Sequence, residues 1–442
     1  MTSRQRRAGS VLSWLGVAAL LAGCGSGDDA NANQDGQFGG AISELRSAAP
    51  RVVAGQAEAA AAAQGERDLA FSLLQAVDGE QNLVFSPHSL SAAFAMLTDA
   101  AEGQTLAEIE QTMHFGSVNE AFHRSQDALH LALAARNRDE LASEDATVDA
   151  QILRESNDIW IRRDAEPDSS YLDTLARYYG AGVHQADFGT QPAAVRLAIN
   201  AKVATDTNAL IPELLPPGSI SVRTIAALTN ALYFKAPWAT SFAAPVPGDF
   251  HALDGSTAPA DMLRQTAEYP YFAGEGFVSV AVPYYGNELE LLLIVPDAGQ
   301  YAAVRRALSS DLLTQLTNAR ATENVDLTLP QLDLESTLPA TETLQAMGMS
   351  TPFDAEAAQF PKLRRELANN VFIASVFHQA TVAIDEKGTE ASAATAIVAD
   401  VRLSIAEPPP EPKVITVDRP FLFMIRDNPT GSVLFVGQVV AP

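Results

Sequence analysis

Cysteine is almost missing from this sequence, since Cys24 is the only one in 442 residues. No disulfide can form within the chain, and a zinc site built on several cysteines is excluded. Basic residues are also scarce, with 29 Lys and Arg against 54 Asp and Glu and a formal net charge of −25. Such a charge repels phosphate backbones, so we expect no nucleic-acid partner. Acidity that keeps an exported protein soluble explains the same balance.

A hydrophobic run long enough to span a bilayer is missing as well. Three arginines in the first seven residues precede an apolar run at 11–22, a pattern typical of a signal peptide, which we place at 1–24. Residues 21–24, Leu-Ala-Gly-Cys, resemble the bacterial lipoprotein box. We therefore predict lipidation of Cys24 and an exported protein held in the cell envelope by lipid alone. An ordinary secretory signal with a chance cysteine would instead make the protein extracellular.

The remainder of the chain divides into two parts. Residues 25–64 are mainly Gly, Ala, Ser, Asn and Asp, which predicts a flexible tether. The whole chain is 47% hydrophobic, which is enough to bury a sizeable core, and we expect residues 65–442 to form one large domain. Helical patterns come early, one of them opening with a predicted capping box of Thr105 and Glu108, and β-branched strand patterns come late. This order favours an α+β fold.

The segment at 388–412 has conflicting signals. Gly388 interrupts a strand pattern and four prolines lie at 408–412, so its boundaries indicate an exposed loop. Its interior nevertheless alternates with a period of two, with uncharged side chains on one face and every charge before Arg402 on the other. A permanent strand with a proline-rich exit explains the pattern, and so does a segment that is a loop in one state and a strand in another.

Five motifs, in order along residues 66–442, resemble those of the serpin family. They are Asn-Leu-Val-Phe-Ser-Pro at 82–87, Thr-Asn-Ala-Leu-Tyr-Phe-Lys at 229–235, Val-Ala-Ile-Asp-Glu-Lys-Gly-Thr-Glu-Ala at 382–391, Asp-Arg-Pro-Phe-Leu-Phe-Met-Ile at 418–425, and Leu-Phe-Val-Gly at 434–437. The third resembles the hinge of inhibitory serpins and the fourth the carboxy-terminal signature of the family.

The resemblance implies a fold of three β-sheets with eight or nine helices and an exposed reactive-centre loop. It implies a suicide inhibitor of serine proteases and not an enzyme, a monomer that needs no cofactor and no metal and forms a covalent complex with its protease. After attack on the loop, the loop inserts into the main sheet as a new strand, a form of β-strand addition for which this family is already known. The hinge positions that follow from the resemblance are Glu386, Gly388, Thr389, Glu390, Ala391, Ala393 and Thr395.

The inward hinge residues bear on whether the chain inhibits. Thr389, Ala391, Ala393 and Thr395 are small and uncharged. A charge at any of them would be buried without a partner at a cost of several kcal/mol, so these residues favour an inhibitor over a non-inhibitory binding or structural module of the same fold.

The reactive bond follows from the family's spacing, which places it fourteen residues after the hinge glycine. Counting from Gly388 gives the bond between Arg402 and Leu403, and an arginine there matches trypsin-like proteases. Many serpins carry serine just after the bond, so a cut between Leu403 and Ser404 is the alternative.

Other residues match supporting positions of the family. Ser86, Ser89, Asn230 and His378 match a hydrogen-bonded cluster beneath the main sheet, and Trp238 matches a tryptophan where insertion begins. His114, His123 and His130 have no zinc-site spacing, and we interpret them as solvent-facing helix residues. No nucleophile elbow or metalloprotease motif supports a hydrolase instead.

Overall fold

The computed structural model describes residues 40–139, 141–142, 147–363, 371–389 and 411–442. Nine α-helices lie in this part of the chain: α1 (Ala59–Ala76), α2 (Pro87–Thr98), α3 (Gly103–Thr112), α4 (Glu120–Ala134), α5 (Ser169–Thr174), α6 (Pro192–Asp206), α7 (Tyr301–Ala307), α8 (Ser310–Ala319) and α9 (Ala340–Ala346). The expected α+β class, with eight or nine helices, is confirmed.

Eighteen strands accompany the helices in the described residues. They are β1 (Ile42–Leu45), β2 (Leu83–Phe85), β3 (Leu141–Ala142), β4 (Thr147–Val148), β5 (Ile152–Arg162), β6 (Val183–Ala186), β7 (Ala226–Pro237), β8 (Val246–His251), β9 (Thr257–Gly274), β10 (Phe277–Pro283), β11 (Leu289–Pro296), β12 (Ala321–Pro330), β13 (Leu332–Leu338), β14 (Ile373–Ile384), β15 (Gly388–Thr389), β16 (Lys413–Thr416), β17 (Phe421–Asp427) and β18 (Val433–Val439).

The first large sheet has the order β1-β6-β5-β7-β15-β14-β13. Its central strand β7 is antiparallel to β5 and parallel to β14. Residues 226–231 of β7 pair with 373–379 of β14, and we call this paired stretch the β7–β14 seam. Above the seam the two strands are no longer paired with each other, and the short strand β15 lies between them. Strand β15 therefore already lies between β7 and β14 at the upper end of the seam.

The second large sheet has the order β16-β12-β9-β10-β11-β17-β18-β2, with β8 beside β9, and β3 and β4 form a separate pair. Every residue of β11, β17 and β18 is buried, as expected for strands covered on both faces. Helix α2 contacts β5 and β7 of the first sheet and β18 of the second. It therefore lies between the two sheets and brings their residues close together.

The amino-terminal part of the described chain differs from the predicted flexible tether at 25–64. Strand β1 extends the first sheet by pairing with β6, and helix α1 begins at Ala59. Between them Arg51 donates to the buried carboxylate of Asp127 on α4 at 2.9 Å. The tether prediction is therefore wrong for residues 40–64, because hydrogen bonds to the domain order a segment whose composition resembles a linker. Residues 25–39 lie outside the described range.

Candidate functional site

The start of α2 positions the first two residues of the predicted cluster. Strand β2 ends at Phe85, and Ser86 becomes the N-cap of α2, with Pro87 at the first helical position. The side-chain oxygen of Ser86 accepts from the backbone N–H of Ser89 at 3.1 Å. This cap fixes both serines, which are fully buried, under the centre of the first sheet.

Asn230 and His378 complete the cluster from β7 and β14. Nδ1 of His378 lies 2.7 Å from Oδ1 of Asn230, across the β7–β14 seam. The hydroxyl of Ser89 donates to the same Asn230 oxygen at 2.7 Å, and the backbone N–H of Ser86 donates to Nε2 of His378 at 3.0 Å. The structure thus brings together all four residues, which we call the Asn230 cluster: Ser86, Ser89, Asn230 and His378.

The protonation state of His378 follows from these contacts. A backbone N–H can only donate, so Nε2 of His378 must accept from Ser86 and the ring proton must sit on Nδ1. The imidazole is therefore neutral. Burial in the sheet favours the uncharged ring and lowers the pKa of His378 to about 3.

The cluster continues into residues that sequence reasoning missed. Asn230 donates to Oδ1 of Asn157 on β5 at 2.5 Å, and Asn157 donates in turn to Glu155 at 3.1 Å. Glu155 contacts Nε2 of His88 on α2 at 2.9 Å. The alternation of Glu155 and Asn157 along β5 was the available signal, because alternate strand residues share a face.

The hinge begins with a tight turn between β14 and β15. The carboxylate of Asp385 accepts from the backbone N–H groups of Lys387 at 2.8 Å and Gly388 at 3.0 Å. Burial raises the pKa of Asp385, although these two backbone donors oppose the shift. The backbone oxygen of Glu386 accepts from Phe242 at 2.7 Å. The turn is therefore held by the carboxylate of Asp385 within it and by the backbone N–H of Phe242 outside it.

Trp238 lies directly after β7 and contacts this turn. Its indole N–H donates to the backbone oxygen of Asp385, and its backbone N–H donates to that of Lys387, both at 2.9 Å. The indole stacks on Tyr284 with ring centroids 4.6 Å apart. The tyrosine hydroxyl lies 2.7 Å from the hydroxyl of Thr389, and both side chains are buried. Thr389 has thus already entered the sheet interior in the intact chain.

Gly388 is needed for the close approach of this segment to β7. It pairs with Pro237, and Thr389 pairs with Ala236. A Cβ on Gly388 would lie 2.7 Å from Cα of Pro237 and closer still to the backbone oxygen of Ala236. No larger residue fits here without moving the strand.

Several predicted site residues lie outside the described part of the chain. They are the hinge residues Glu390, Ala391, Ala393 and Thr395, the reactive-bond residues Arg402, Leu403 and Ser404, and the lipidation residue Cys24. The roles assigned to them stay predictions.

The three histidines have different surroundings, since His114 lies just after α3 and His123 and His130 lie on α4. His123 is buried against the hydroxyl of Tyr179 at 2.8 Å, and burial lowers its pKa to about 4. Our interpretation of His123 as solvent-facing is therefore wrong, because the helical turn Leu175–Tyr179, which follows α5, covers this face of α4. His114 contacts the hydroxyl of Ser72 at 2.7 Å, and His130 is partly exposed.

The described residues contain neither a candidate metal site nor a helix that could cross a membrane. These residues contain no group of three or more His, Cys, Asp and Glu side chains placed to hold a metal. Within the same ranges, no helix has the length and apolar character needed to cross a membrane.

Comparison with known sequences identifies related proteins across the whole domain. The profile described as serpin (serine protease inhibitor) matches residues 64–442. An uncharacterized serpin-like protein of Thermococcus kodakarensis is 31% identical over 375 residues, covering 84% of each chain. Plasminogen activator inhibitor 1 of Bos taurus is 30% identical over 376 residues, covering 82% of this chain and 87% of its own.

Solved structures share the fold. Human thyroxine-binding globulin, solved in complex with thyroxine, is 26% identical with a TM-score of 0.73, covering 87% of this chain and 99% of its own. The thermophilic serpin tengpin, solved in its native state, has a TM-score of 0.75 at 24% identity, covering 90% of this chain and 98% of its own. At that identity the second likeness supports the fold alone.

Proposed function

The chain belongs to the serpin family, and from this premise we propose that it is a suicide inhibitor of trypsin-like serine proteases. Serpins are in general protease inhibitors and not enzymes, and they form complexes with serine proteases. In the proposed reaction the protease serine attacks the carbonyl carbon of Arg402, the bond to Leu403 breaks, and Leu403 leaves with a new amino group. The acyl-enzyme is then trapped when the freed loop enters the first sheet.

One observation carries this proposal. Gly388 and Thr389 already lie between β7 and β14, antiparallel to both, as the first two residues of a central strand. Continuing that strand would replace the β7–β14 seam with two antiparallel ladders. About ten added hydrogen bonds, each worth roughly 1 kcal/mol net, would contribute on the order of 10 kcal/mol, comparable to the stability of a whole domain.

The Asn230 cluster supports the same mechanism. Its bond between His378 and Asn230 crosses the seam, so it must break when the strands part. The hydroxyl of Ser89 on α2 also donates to Asn230, so the Asn230 oxygen keeps a partner in the open sheet as long as α2 remains against β7, which it contacts.

A second candidate is a non-inhibitory binding module of the same fold. The likeness to thyroxine-binding globulin in complex with thyroxine favours it, because that globulin shares this architecture and binds a small molecule. Inhibition therefore has to be tested directly and cannot rest on the fold.

The test is incubation of residues 25–442 with a trypsin-like and a chymotrypsin-like protease. We expect an adduct with the trypsin-like enzyme that survives denaturing electrophoresis, and we expect Arg402→Ala to abolish it while the fold stays intact. Mass spectrometry of the released fragment locates the cut. A cut after Leu403 would assign the reactive bond to Leu403 and Ser404, and cleavage without any adduct would favour the binding module.

We also propose that the protein is exported and anchored in the cell envelope through lipid on Cys24, supported by the signal pattern at 1–24. Cys24→Ser should then move the protein from the membrane fraction to the soluble fraction. Unchanged membrane association would contradict lipid anchoring, and a wild-type protein that is already soluble outside the cell would favour ordinary secretion.

A further inference from the structure

A buried charge cluster lies beside the Asn230 cluster. Nδ1 of His88 is 2.6 Å from Oε1 of Glu66 on α1, and Nε2 is 2.9 Å from Oε1 of Glu155 on β5. His88 and Glu66 are at most 2% exposed. A ring that faces a carboxylate with each nitrogen is stable as an imidazolium, with a proton on both. Burial lowers the pKa of His88, but the two carboxylates outweigh burial and raise it well above its ordinary value.

The second oxygen of Glu155 connects this charge cluster to the seam. Oε2 of Glu155 accepts from Nδ2 of Asn157 at 3.1 Å and lies 3.6 Å from Nδ1 of His130 on α4. Burial opposes the charge on Glu155, but His88 and His130 hold its pKa well below its usual range. Glu155 is therefore an anion whose two oxygens face different partners, His88 on one side and the amide of Asn157 on the other.

The hydrogen bonds from the seam to Glu155 all run in one direction. The backbone N–H of Ser86 donates to His378, whose Nδ1–H donates to Asn230. Asn230 donates to Asn157, and Asn157 donates to Glu155. We call these four bonds the Glu155 chain. Its final acceptor is the carboxylate, and its second bond is the one that joins β14 to β7.

We propose that Glu155 is a positioning residue for sheet opening, because its carboxylate orients the Glu155 chain and strengthens the hydrogen bond that holds β14 to β7. An anionic final acceptor polarises each amide before it, and hydrogen bonds in a chain strengthen one another. The inference rests on the proposed function, since only a protein that inserts its loop needs these strands to part. Glu155, His88 and Asn157 lie outside the Asn230 cluster, so the inference adds residues that the proposed function does not use.

Two matched substitutions test the role of the charge. Glu155→Gln removes the charge and keeps the size, and Glu66→Gln makes the same change on the other side of His88, outside the Glu155 chain. The readout is amide hydrogen exchange of Ser86, the first donor of the chain, in full-length protein without protease. We expect Glu155→Gln to speed this exchange about threefold or more, as loss of roughly 0.7 kcal/mol from a polarised chain implies. Glu66→Gln should change it much less.

A double-mutant cycle separates positioning from general stability. Asn157→Ala cuts the Glu155 chain and leaves Glu155 beside His88, so Glu155→Gln should add almost nothing to the exchange rate in that background. If the two effects add instead, or if Glu66→Gln acts as strongly as Glu155→Gln, the charge cluster only stabilises the fold and the proposal fails. Exchange in β17 serves as the control for global destabilisation.

Failure of the positioning role can be distinguished from failure of the proposed function. If wild-type protein forms the covalent adduct but Glu155→Gln leaves Ser86 exchange unchanged, only the positioning role is wrong. If Ser86 exchange responds as expected but no adduct forms with any protease, the inhibitor proposal fails. Should Glu155→Gln not fold, Asn157→Ala tests the Glu155 chain from its middle, and unchanged Ser86 exchange in that variant would overturn the proposal.

Discussion

A single side chain, that of Asn230, satisfies four hydrogen-bond partners under the first sheet. Its oxygen accepts from Ser89 and His378, and its nitrogen donates to the backbone oxygen of Ser89 and to Asn157. This uses the whole capacity of a carboxamide. Aspartate would lack the two donors and leucine would lack all four contacts, so the position requires asparagine for a physical reason that the sequence alone does not state.

The neutral ring of His378 predicts a pH dependence of stability. Its pKa is about 3 in the folded protein against 6.5 ordinarily. Between these values the unfolded chain holds a proton that the folded chain does not, so the free energy of unfolding falls as pH falls, by up to about 1.4 kcal/mol per unit. His378→Gln, which cannot titrate, should show a shallower slope between pH 6.5 and 4.5 in urea unfolding. Equal slopes in the two proteins would mean that a group other than His378 causes the pH dependence of the free energy of unfolding.

The tight contact at Gly388 gives a second prediction. In Gly388→Ala the new methyl group would collide with the backbone of Ala236 and Pro237, so Thr389 should leave its place beside Tyr284. We expect faster amide exchange at residues 388–389 and a loss of about 1 kcal/mol of stability. Gly189→Ala is the control, because a Cβ there meets nothing within 4 Å. Protection of residues 388–389 that matches wild type would show that the strand can shift to fit the methyl group.

At the scale of elements, strand and helix patterns were more predictable than their ends. Residues 105 and 108 have the spacing of a capping box, yet α3 begins at Gly103. The carboxylate of Glu108 instead accepts from the backbone N–H groups of Ser350 at 2.9 Å and Thr351 at 2.6 Å. A local motif cannot reveal that a distant turn competes for the same carboxylate. The segment before α1 was missed for the same reason, since its partners lie on other elements.

That amino-terminal segment supplies a prediction at this scale. Arg51 is the cation beside Asp127, whose side chain is fully buried, with Nη2 at 2.9 Å from the carboxylate. Among the described residues, Arg51→Met would leave Asp127 with the hydrogen bond from the backbone N–H of Ala54 at 3.1 Å. We expect a loss of about 2 kcal/mol in the free energy of unfolding, reduced from a fully buried pair because Arg51 is partly exposed.

The control for this change is Arg46→Met in the same segment. Arg46 is half exposed, lies 3.8 Å from Glu44 and donates to the backbone oxygen of Gly180. Because these contacts are open to solvent, its removal should cost less than about 1 kcal/mol. Urea unfolding of both variants decides between a docked segment and a loosely attached one. Equal small losses would mean that the contact between Arg51 and Asp127 contributes little in solution.

At the scale of the molecule, the first sheet combines two unequal interfaces. Along the β7–β14 seam, the two strands are joined by parallel pairing and by the hydrogen bond between Asn230 and His378. Above the seam, β7 and β14 are not paired with each other in the described residues, and Gly388 and Thr389 of β15 lie between them. The resemblance to known motifs located both regions, but the sequence could not reveal that Thr389 is already buried in the intact chain, because that depends on the competition between a loop and a sheet for the same residues.

The buried position of Thr389 leads to the prediction that best separates an inhibitor from a binding module. In Thr389→Arg a guanidinium would have to lose its hydration beside Tyr284, whose neutral hydroxyl cannot balance the charge, at a cost of several kcal/mol. The hinge should leave the sheet and later insertion should slow. The loop would still be cut at Arg402, because its contacts with a protease are unchanged, but the acyl-enzyme would hydrolyse before it is trapped.

Two measurements test this expectation together, with Thr389→Ser as the control that keeps the hydroxyl. The first is the ratio of cleaved protein to covalent adduct, which should rise in Thr389→Arg and stay near the wild-type value in Thr389→Ser. The second is the melting temperature of wild-type protein before and after cleavage in the loop, which should rise by roughly 10 °C or more if about ten hydrogen bonds are added. If cleavage does not raise the melting temperature and Thr389→Arg inhibits as well as wild type, the loop does not insert and the binding-module function is the better account.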